Sequence, residues 1–355
     1  MAAAGNMTEE LDPRIVEPGR IAAWLDSQGI PGGALSDLRL LAGGTQNLLV
    51  QFRRGEAEYV LRRPSLNPRP EAETTIRREA RVLGALGGTD VPHPKLVAFG
   101  EDPAIIGSVF YVMERKDGFN AALGLPAPFD SDPAARHRLG LALIDGIAEL
   151  SKLDPVERGL ADFGKLDGFL ERQVPRWASQ LASYGKFANW PGPHGIGDVK
   201  LVGDWLTANM PKTMQRGLMH GDYHLGNVLF AADGSLSAIV DWELSTLGDP
   251  LLDLARLTAA WPDESGVGPL SLTVKPWEGF PTRDELVARY GELTGRPMDD
   301  LLWFEVLACY KLGIILEGTY ARALDGLVPM DTGERLHRST RALFARAQQW
   351  IAEKG

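Results

Sequence analysis

The most informative segment of this chain is His-Gly-Asp-Tyr-His-Leu-Gly-Asn at residues 220–227, which is followed fourteen residues later by Asp241. Residues 227–230 are typical of a short strand, Asp233-Gly234 of a hairpin turn, and residues 236–240 of a second strand. The hairpin is therefore predicted to return Asp241, a second carboxylate, beside the loop that holds Asp222.

The spacing within this segment is that of the catalytic loop of kinases, H-x-D-x-x-x-x-N. In that pattern the Asp orients the attacking hydroxyl and accepts its proton, and the Asn reaches a metal ion from the same loop. Here these residues are Asp222 and Asn227. A lone His-x-Asp, an Asp-Gly turn or an Asp-Trp pair is usually structural, but their joint occurrence at this spacing favours a functional site.

The runs LMHGDYHLGNVLF at residues 218–230 and IVDWELSTLGDPLLDLA at residues 239–255 resemble the aminoglycoside phosphotransferase and choline kinase superfamily. The chain is most similar to the branch that also occurs as the N-terminal domain of certain acyl-CoA dehydrogenase fusion proteins. The resemblance extends from Leu40 to Arg322. It implies a protein kinase-like fold, with Asp222 as the catalytic base and with Asn227 and Asp241 as ligands of Mg²⁺.

A phosphate-binding loop is expected at Ala42-Gly43-Gly44-Thr45-Gln46, between two predicted strands. Two adjacent glycines allow backbone amides to approach a phosphate closely, as in the Gly-rich loop of kinases. The full G-x-G-x-x-G spacing is absent, so an ordinary turn is an equal alternative. Gly43, Gly44 and Thr45 are the candidate nucleotide-binding residues of this loop.

The strand Tyr59-Val-Leu-Arg-Arg-Pro64 occupies the position of the kinase strand whose lysine contacts the α- and β-phosphates. Alternation places Val60 and Arg62 on one face and Leu61 and Arg63 on the other. Val60 is predicted to line the adenine pocket. Arg62 is predicted to replace the lysine, because arginine can hold a phosphate through two parallel hydrogen bonds. In the alternative interpretation, both arginines are solvated residues of an edge strand.

Two further groups complete the predicted nucleotide site. The helix predicted over residues 71–86 carries Glu79, which the resemblance assigns to the carboxylate that orients Arg62. The strand predicted over residues 108–114 leads into the hinge, where backbone groups of Met113, Glu114 and Arg115 would meet the edge of adenine. Without the resemblance, Glu79 is an ordinary solvated helix residue and Met113 an ordinary core residue.

The composition limits the class of protein. The 355 residues are 44% hydrophobic, which is enough for a sizeable core. A net charge of −10 argues against a nucleic-acid or anionic-membrane surface, although a few local cations can still hold a nucleotide. The apolar runs fall short of the ~20 residues that span a bilayer, and the N-terminus lacks the pattern of a signal peptide. Cys309 is the single cysteine and is expected in the core, so a cytoplasmic location without disulfides is expected.

The pattern of elements predicts an α+β, bilobal protein kinase-like fold. Residues 1–115 would form a small β-rich, nucleotide-binding N-lobe, and residues 116–355 a larger, mainly helical lobe for catalysis and substrate binding. Helical periodicity predicts helices over residues 133–153, 166–184, 199–209, 250–260, 283–291, 298–320 and 334–352.

The sequence thus predicts a kinase that uses ATP and Mg²⁺ to phosphorylate a hydroxyl of a small molecule. Similarity to the dehydrogenase-linked branch favours a hydroxyacyl or other lipid-derived alcohol as acceptor, and aminoglycosides and choline-like amino alcohols are the alternatives. A pseudokinase that binds nucleotide or a partner without phosphate transfer also stays open, because Arg62 departs from the kinase pattern. The sequence predicts neither the oligomeric state nor a preference between ATP and GTP.

Overall fold

The computed structural model describes residues 12–41, 47–270 and 274–354. These residues form two compact units. The first unit contains the chain up to Asp117 together with the short segment Val240–Glu243, and the second contains Gly118–Ile239 and the chain from Leu244 onward. Asp241 therefore belongs to the first unit, whereas Asp222 and Asn227 belong to the second.

The first unit is built on a five-stranded antiparallel sheet with the spatial order β1-β2-β3-β5-β4. Its strands are β1 (Leu35–Leu40), β2 (Asn47–Arg54), β3 (Ala57–Pro64), β4 (Leu96–Gly100) and β5 (Phe110–Glu114). On the central strand β3, Val60 pairs with Met113 and Arg62 with Tyr111 of β5. The interpretation of Arg62 and Arg63 as solvated edge residues is wrong, because β3 has a neighbour on each side and both side chains are buried.

Two helices complete the first unit, α1 (Pro18–Ser27) and α2 (Ala72–Leu86). Helix α2 contacts β3, β4 and β5, and its buried face carries Ile76, Ala80 and Leu83 at helical spacing. Glu79 lies among these buried residues, where a carboxylate is rare unless it is paired. The interpretation of Glu79 as a solvated helix residue is therefore wrong.

The second unit is mainly helical, with two short antiparallel strand pairs. Strand β6 (Gly217–Met219) pairs with β9 (Thr246–Gly248), and β7 (Val228–Phe230) pairs with β8 (Leu236–Ile239). The β7–β8 hairpin predicted from the sequence is confirmed. The helices are α3 (Pro133–Ser151), α4 (Gln173–Ala182), α5 (Val199–Ala208), α6 (Leu251–Ala260), α7 (Arg283–Thr294), α8 (Leu301–Leu324) and α9 (Met330–Lys354).

One predicted helix is much shorter than expected. Helix α4 begins at Gln173 rather than Leu166, and most of the residues before it form turns. Gly168 adopts a φ of +59°, which is incompatible with a continuous right-handed helix. The other predicted helices are present, and their ends differ from the prediction by at most four residues.

Helix α8 forms much of the core of the second unit and packs against α4, α5, α6 and α9. Cys309 lies fully buried on it, as predicted, and burial raises the pKa of its thiol to about 12. Charged residues interrupt the apolar sequence of α8 at Glu305, Lys311 and Glu317. Within the described ranges, no helix has the length and apolar character needed to cross a membrane.

Candidate active site

A buried arginine organises the candidate nucleotide site in the first unit. Nη2 of Arg62 donates to Oε1 of Glu79 at 3.0 Å, and its Nε lies 2.8 Å from Oε2. The hydroxyl of Tyr111 donates to Oε2 of Glu79 at 2.7 Å. The side chain of Arg62 is 9% exposed and that of Glu79 1%, so both charges are removed from water. The predicted contact between Arg62 and Glu79 is present, and their role in nucleotide binding stays a prediction.

The same arginine also contacts two carboxylates of the segment Val240–Glu243. Its Nη2 donates to Oδ1 of Asp241 at 3.0 Å and lies 3.5 Å from Oε2 of Glu243. Asp241 adopts a φ of +66°, which is uncommon for a residue other than glycine and persists where the surroundings hold it. Its side chain is 41% exposed. An exposed carboxylate is thus tethered to a buried cation.

We call Arg62, Glu79, Tyr111, Asp241 and Glu243 the Arg62 cluster. Its charge is unbalanced, because three carboxylates surround one guanidinium. Burial raises the pKa of Glu79 to about 7; Arg62 and Tyr111 oppose this shift, and the charges of Asp241 and Glu243 add to it. Burial alone would lower the pKa of Arg62, but the surrounding carboxylates raise it above its ordinary value. An additional cation at the exposed side of the cluster would therefore be stabilised.

The predicted adenine-binding residues lie on neighbouring strands of the sheet. Val60 is buried on β3 opposite Met113 of β5, which is half-buried. The N–H of Glu114 donates to the carbonyl of Lys95 at 2.9 Å, and the N–H of Arg115 donates to the carbonyl of Glu58 at 3.1 Å. These two N–H groups are therefore engaged, and an adenine ring would need other backbone groups of this segment.

The predicted phosphate-binding residues Gly43, Gly44 and Thr45 lie outside the described residues. The strands β1 and β2 that flank this loop are present and pair as neighbours. The role of the loop stays a prediction.

In the second unit, a buried carboxylate holds the loop of residues 220–227. Asp253 on α6 accepts hydrogen bonds from the N–H groups of His220 at 2.7 Å and Gly221 at 2.8 Å. Gly221 has a φ of +87°, and a Cβ on it would lie 2.3 Å from the carbonyl oxygen of Leu244, so glycine is required here. Nδ1 of the buried His220 accepts from the N–H of Asp222 at 3.3 Å. These contacts fix the backbone conformation of the loop that carries Asp222.

The carboxylate of Asp222 contacts two basic side chains. Nε of Arg256 donates to Oδ1 at 2.9 Å, and Nε2 of His224 lies 3.5 Å from Oδ2. Since Nδ1 of His224 accepts from the N–H of Gly226 at 3.0 Å, the proton of the neutral ring is assigned to Nε2. Burial alone would raise the pKa of Asp222, but the hydrogen bond from His224 and the charge of Arg256 hold it well below its usual range. Asp222 is therefore an ionised acceptor at neutral pH.

Asn227 closes the same loop from its other end. Its Nδ2 donates to the backbone carbonyl of Asp222 at 3.0 Å. The side-chain oxygen takes no part in this bond, and amide oxygens are among the ligands that bind hard divalent cations. The geometry is thus compatible with the predicted role of Asn227 as a metal ligand.

Sequence reasoning missed two cations of this region, Arg256 on α6 and Lys311 on α8. Nζ of Lys311 lies 3.5 Å from the carbonyl oxygen of Gly221. Burial lowers the pKa of Lys311, and the charge of Arg256 adds to this effect while Asp222 opposes it. We call Asp222, His224, Arg256 and Lys311 the Asp222 site.

The sequence contained a feature that could have identified each of these two cations. Arg256 lies three residues after Asp253, on the same face of α6. Lys311 is the single lysine of the apolar helix α8.

A cavity of about 70 Å³ adjoins the Asp222 site. Two of its lining residues, His224 and Arg256, contact Asp222 directly. The other described lining residues are apolar or aromatic, and none is acidic: Leu225, Leu257, Ala260, Trp261, Pro262, Leu270 and Trp277. We call this space the Arg256 cavity.

A larger groove of about 810 Å³ lies next to the Arg256 cavity and shares Trp261, Pro262 and Trp277 with it. Four of its described lining residues are acidic: Asp263, Glu264, Glu278 and Asp284. The described residues between Pro262 and Pro281 therefore contribute to the walls of both spaces. We call the larger space the acidic groove.

The sequence profile of the phosphotransferase enzyme family matches residues 37–293, which is more than half of the chain and includes Arg62, Asp222, Asn227, Asp241 and Arg256. The chain belongs to this phosphotransferase family. The predicted class of transferase is therefore confirmed.

A known relative of this phosphotransferase is acyl-CoA dehydrogenase family member 11 of Gallus gallus, with 32% identity over 335 residues. The match covers 92% of this chain and 40% of the relative. The chain thus spans less than half of the length of that protein. The predicted similarity to the dehydrogenase-linked branch is confirmed.

Solved structures establish the fold. A candidate aminoglycoside phosphotransferase from Ralstonia eutropha JMP134 superposes with a TM-score of 0.77 at 27% identity, covering 94% of this chain and 98% of that one. A thermostable mutant of aminoglycoside phosphotransferase APH(4)-Ia, in a ternary complex with AMP-PNP and hygromycin B, gives a TM-score of 0.59 at 17% identity, covering 92% and 98%. The predicted α+β, protein kinase-like fold is confirmed.

Proposed function

We propose that this phosphotransferase is a Mg·ATP-dependent kinase that phosphorylates a hydroxyl of a small molecule, with a hydroxyacyl compound or another lipid-derived alcohol as acceptor. The single observation that carries the choice of acceptor is the Arg256 cavity, which adjoins the proposed catalytic Asp222 and is walled by apolar and basic side chains. Transfer from ATP is supported by family membership and by the composition of the Arg62 cluster.

In the first unit, Arg62 is proposed to contact the nucleotide phosphates while Glu79 and Tyr111 fix its orientation. The residues fit Mg²⁺, because the exposed carboxylate of Asp241 and the amide oxygen of Asn227 are both hard oxygen donors. Within the described residues, no three His, Cys, Asp or Glu side chains are grouped to hold a metal ion. Asp241 and Asn227 are each proposed as a magnesium ligand, and bound Mg²⁺ would neutralise phosphate charge during transfer.

In the second unit, Asp222 is proposed to accept a hydrogen bond from the acceptor hydroxyl and to hold its oxygen in line with the γ-phosphate. The oxygen–phosphorus bond forms as the bond from the γ-phosphorus to ADP breaks, and the hydroxyl proton passes to Asp222. Because its pKa is low, Asp222 is a weak base and takes the proton late. Its contribution is mainly positioning, which suits a loose transition state.

A second candidate acceptor is an organic cation such as an aminoglycoside or a choline-like amino alcohol. The acidic groove favours it, since Asp263, Glu264 and Glu278 lie beside Trp261 and Trp277, and acidic and aromatic groups together suit cations. The solved relative with hygromycin B shows that such a ligand binds that neighbour. The hydroxyacyl acceptor is preferred because the walls that contact Asp222 directly are basic.

The test is a phosphate-transfer screen with Mg·ATP and Mg·GTP against hydroxylated fatty acids, hydroxyacyl-CoAs, amino alcohols and aminoglycosides, read by phosphorus NMR. We expect a new phosphate monoester with the hydroxyacyl compounds. Phosphorylation of the cationic acceptors alone would replace the first candidate by the second. Nucleotide binding without a monoester from any acceptor would favour the pseudokinase that Arg62 left open.

A further inference from the structure

The buried guanidinium of Arg256 has more hydrogen-bonding capacity than Asp222 uses. Its Nε donates to Oδ1 of Asp222, and the side chain is only 11% exposed. Its Nη1 is buried and has no hydrogen-bond acceptor in the described part of the chain. Buried donors in native proteins almost always have a partner. Because Arg256 also lines a cavity, its unpaired donor points to a ligand.

The described residues that line the Arg256 cavity give Nη1 no hydrogen-bond partner. The polar group of Trp261, its Nε1, is a donor and already bonds the carbonyl of Pro281. His224 uses Nδ1 to accept from Gly226 and Nε2 to face Asp222. The described acidic residues nearby line the acidic groove and not this cavity. A ligand oxygen that enters the cavity can supply the acceptor that the described residues do not.

The charged side chains around the cavity determine which kind of acceptor atom Nη1 would bind. Lys311 is close enough to Arg256 and Arg176 for their positive charges to help lower its pKa, so positive charge is concentrated beside the cavity. Asp222 already accepts from the Nε of Arg256. An oxygen with partial or full negative charge is the partner that a guanidinium prefers.

We propose that Arg256 is a specificity residue that binds, through Nη1, an oxygen of the acceptor close to the hydroxyl that Asp222 aligns. The acceptor class is a hydroxy compound with a carboxylate or carbonyl oxygen near the reacting carbon. This inference rests on the proposed function. A plain alcohol of the same length carries no such oxygen and would leave Nη1 without a partner.

The test compares matched acceptors in wild type and in Arg256→Lys. The acceptors are the hydroxyhexanoate isomers, their methyl esters and the corresponding hexanols, each assayed for kcat and KM with Mg·ATP. For wild type, we expect kcat/KM for the best hydroxyhexanoate to exceed that of its hexanol by about tenfold to a hundredfold. In Arg256→Lys the cation remains but the planar fork is lost, so this ratio should fall towards one.

The ratio separates the two roles of Arg256. Loss of the Nε contact to Asp222 lowers turnover of both acceptors and cancels in the ratio, whereas loss of the Nη1 contact affects only the acceptor that carries the oxygen. The methyl esters distinguish a carboxylate from a neutral carbonyl. The matched control is Arg289→Lys, since Nε of Arg289 also donates to an aspartate, Asp145, at 2.9 Å but lies outside the cavity. The control should leave the ratio unchanged.

Calorimetry keeps the inference testable if no acceptor is turned over. Wild type should bind the hydroxyhexanoate more tightly than the hexanol, and Arg256→Lys should lose this difference while thermal unfolding shows that it is folded. If Arg256→Lys does not fold, the comparison of acid and alcohol on wild type decides alone. An acid-to-alcohol ratio near one in wild type, or a ratio unchanged in Arg256→Lys, would overturn the inference. Absence of transfer with all acceptors, together with selective acid binding, would instead refute the proposed function alone.

Discussion

The Arg62 cluster and the Asp222 site are opposite in charge. In the first, one buried guanidinium is shared by three carboxylates; in the second, one carboxylate is contacted by Arg256 and His224, with Lys311 close by. The excess in the first is negative and favours a cation, and the excess in the second is positive and favours an anionic or carbonyl oxygen. The contrast supports the proposal that the first region binds the nucleotide phosphates and the second binds the acceptor.

The two regions also differ in how they are held. The Arg62 cluster is fixed by a buried side-chain pair, so its charges depend on each other and removing either partner leaves the other unpaired. Asp222 is fixed by the backbone, because Asp253 binds the N–H groups of His220 and Gly221 just before it. Substitutions in the Arg62 cluster should therefore lower the stability of the fold more, and substitutions in the Asp222 site should lower turnover more.

The largest expected effect is that of Asp222→Asn on turnover. The amide cannot take the hydroxyl proton, so kcat should fall by about 10²- to 10⁴-fold. Nucleotide affinity should stay within about twofold, because the proposed role of Asp222 is with the acceptor. Steady-state kinetics and calorimetry with Mg·ATP measure the two quantities. The control Asp145→Asn removes another arginine-paired aspartate of the second unit and should retain turnover.

The next effect is on nucleotide binding by the Arg62 cluster. Arg62→Ala and Glu79→Ala should each weaken binding of ATP by about tenfold or more, and the double variant should lose less than the sum of the two changes in free energy. Additive losses in calorimetry would show that Glu79 does not act through Arg62.

Arg63 provides the matched control for Arg62. It lies on the other face of β3, and its Nη1 donates to the carbonyls of Arg14, Ile15 and Ile106. Arg63→Ala should leave ATP affinity nearly unchanged but lower the free energy of unfolding by about 1–3 kcal/mol, because buried carbonyls lose their donor. Urea unfolding measures this difference. If Arg63→Ala weakened ATP binding and Arg62→Ala did not, Arg63 and not Arg62 would be the residue that contacts the phosphates.

A smaller effect tests the excess negative charge. Asp241→Asn keeps the shape of the side chain and removes one of three carboxylates, so ATP affinity in Mg²⁺ should fall by about tenfold and become nearly equal to its affinity in EDTA. Wild type should bind clearly more tightly in Mg²⁺ than in EDTA. Identical affinities of wild type under both conditions would remove Asp241 from the metal site.

The smallest effect concerns the pH profile. Asp222 must be ionised to act, and its low pKa places the acid limb of kcat/KM below the usual range of carboxylates. Arg256→Gln removes a positive charge and should raise the pKa of Asp222, so activity should be lost at a higher pH as the solution is acidified. An acid limb that stays in place would show that Arg256 does not set the charge of Asp222.

Local patterns predicted the elements that follow directly from residue spacing. The pairing of Arg62 with Glu79 was predictable, because strand alternation and helical periodicity place both on defined faces, and the resemblance named Glu79 as the orienting carboxylate. Arg256 and Lys311 were missed, because their approach to Asp222 depends on how α6 and α8 pack against the loop. The burial of Arg63 was missed for the same reason, since its acceptors come from residues far away in sequence. Contacts between residues that are far apart in the chain are hard to predict from a single sequence.

The central claim is that phosphate moves from nucleotide to an acceptor hydroxyl aligned by Asp222. The most direct measurement follows labelled γ-phosphate by mass spectrometry, in wild type and Asp222→Asn, with the hydroxyhexanoates as acceptors. The account predicts that the label enters the organic acceptor in wild type and that Asp222→Asn binds Mg·ATP without forming this product. Label found only in inorganic phosphate, or equal product from both proteins, would contradict it.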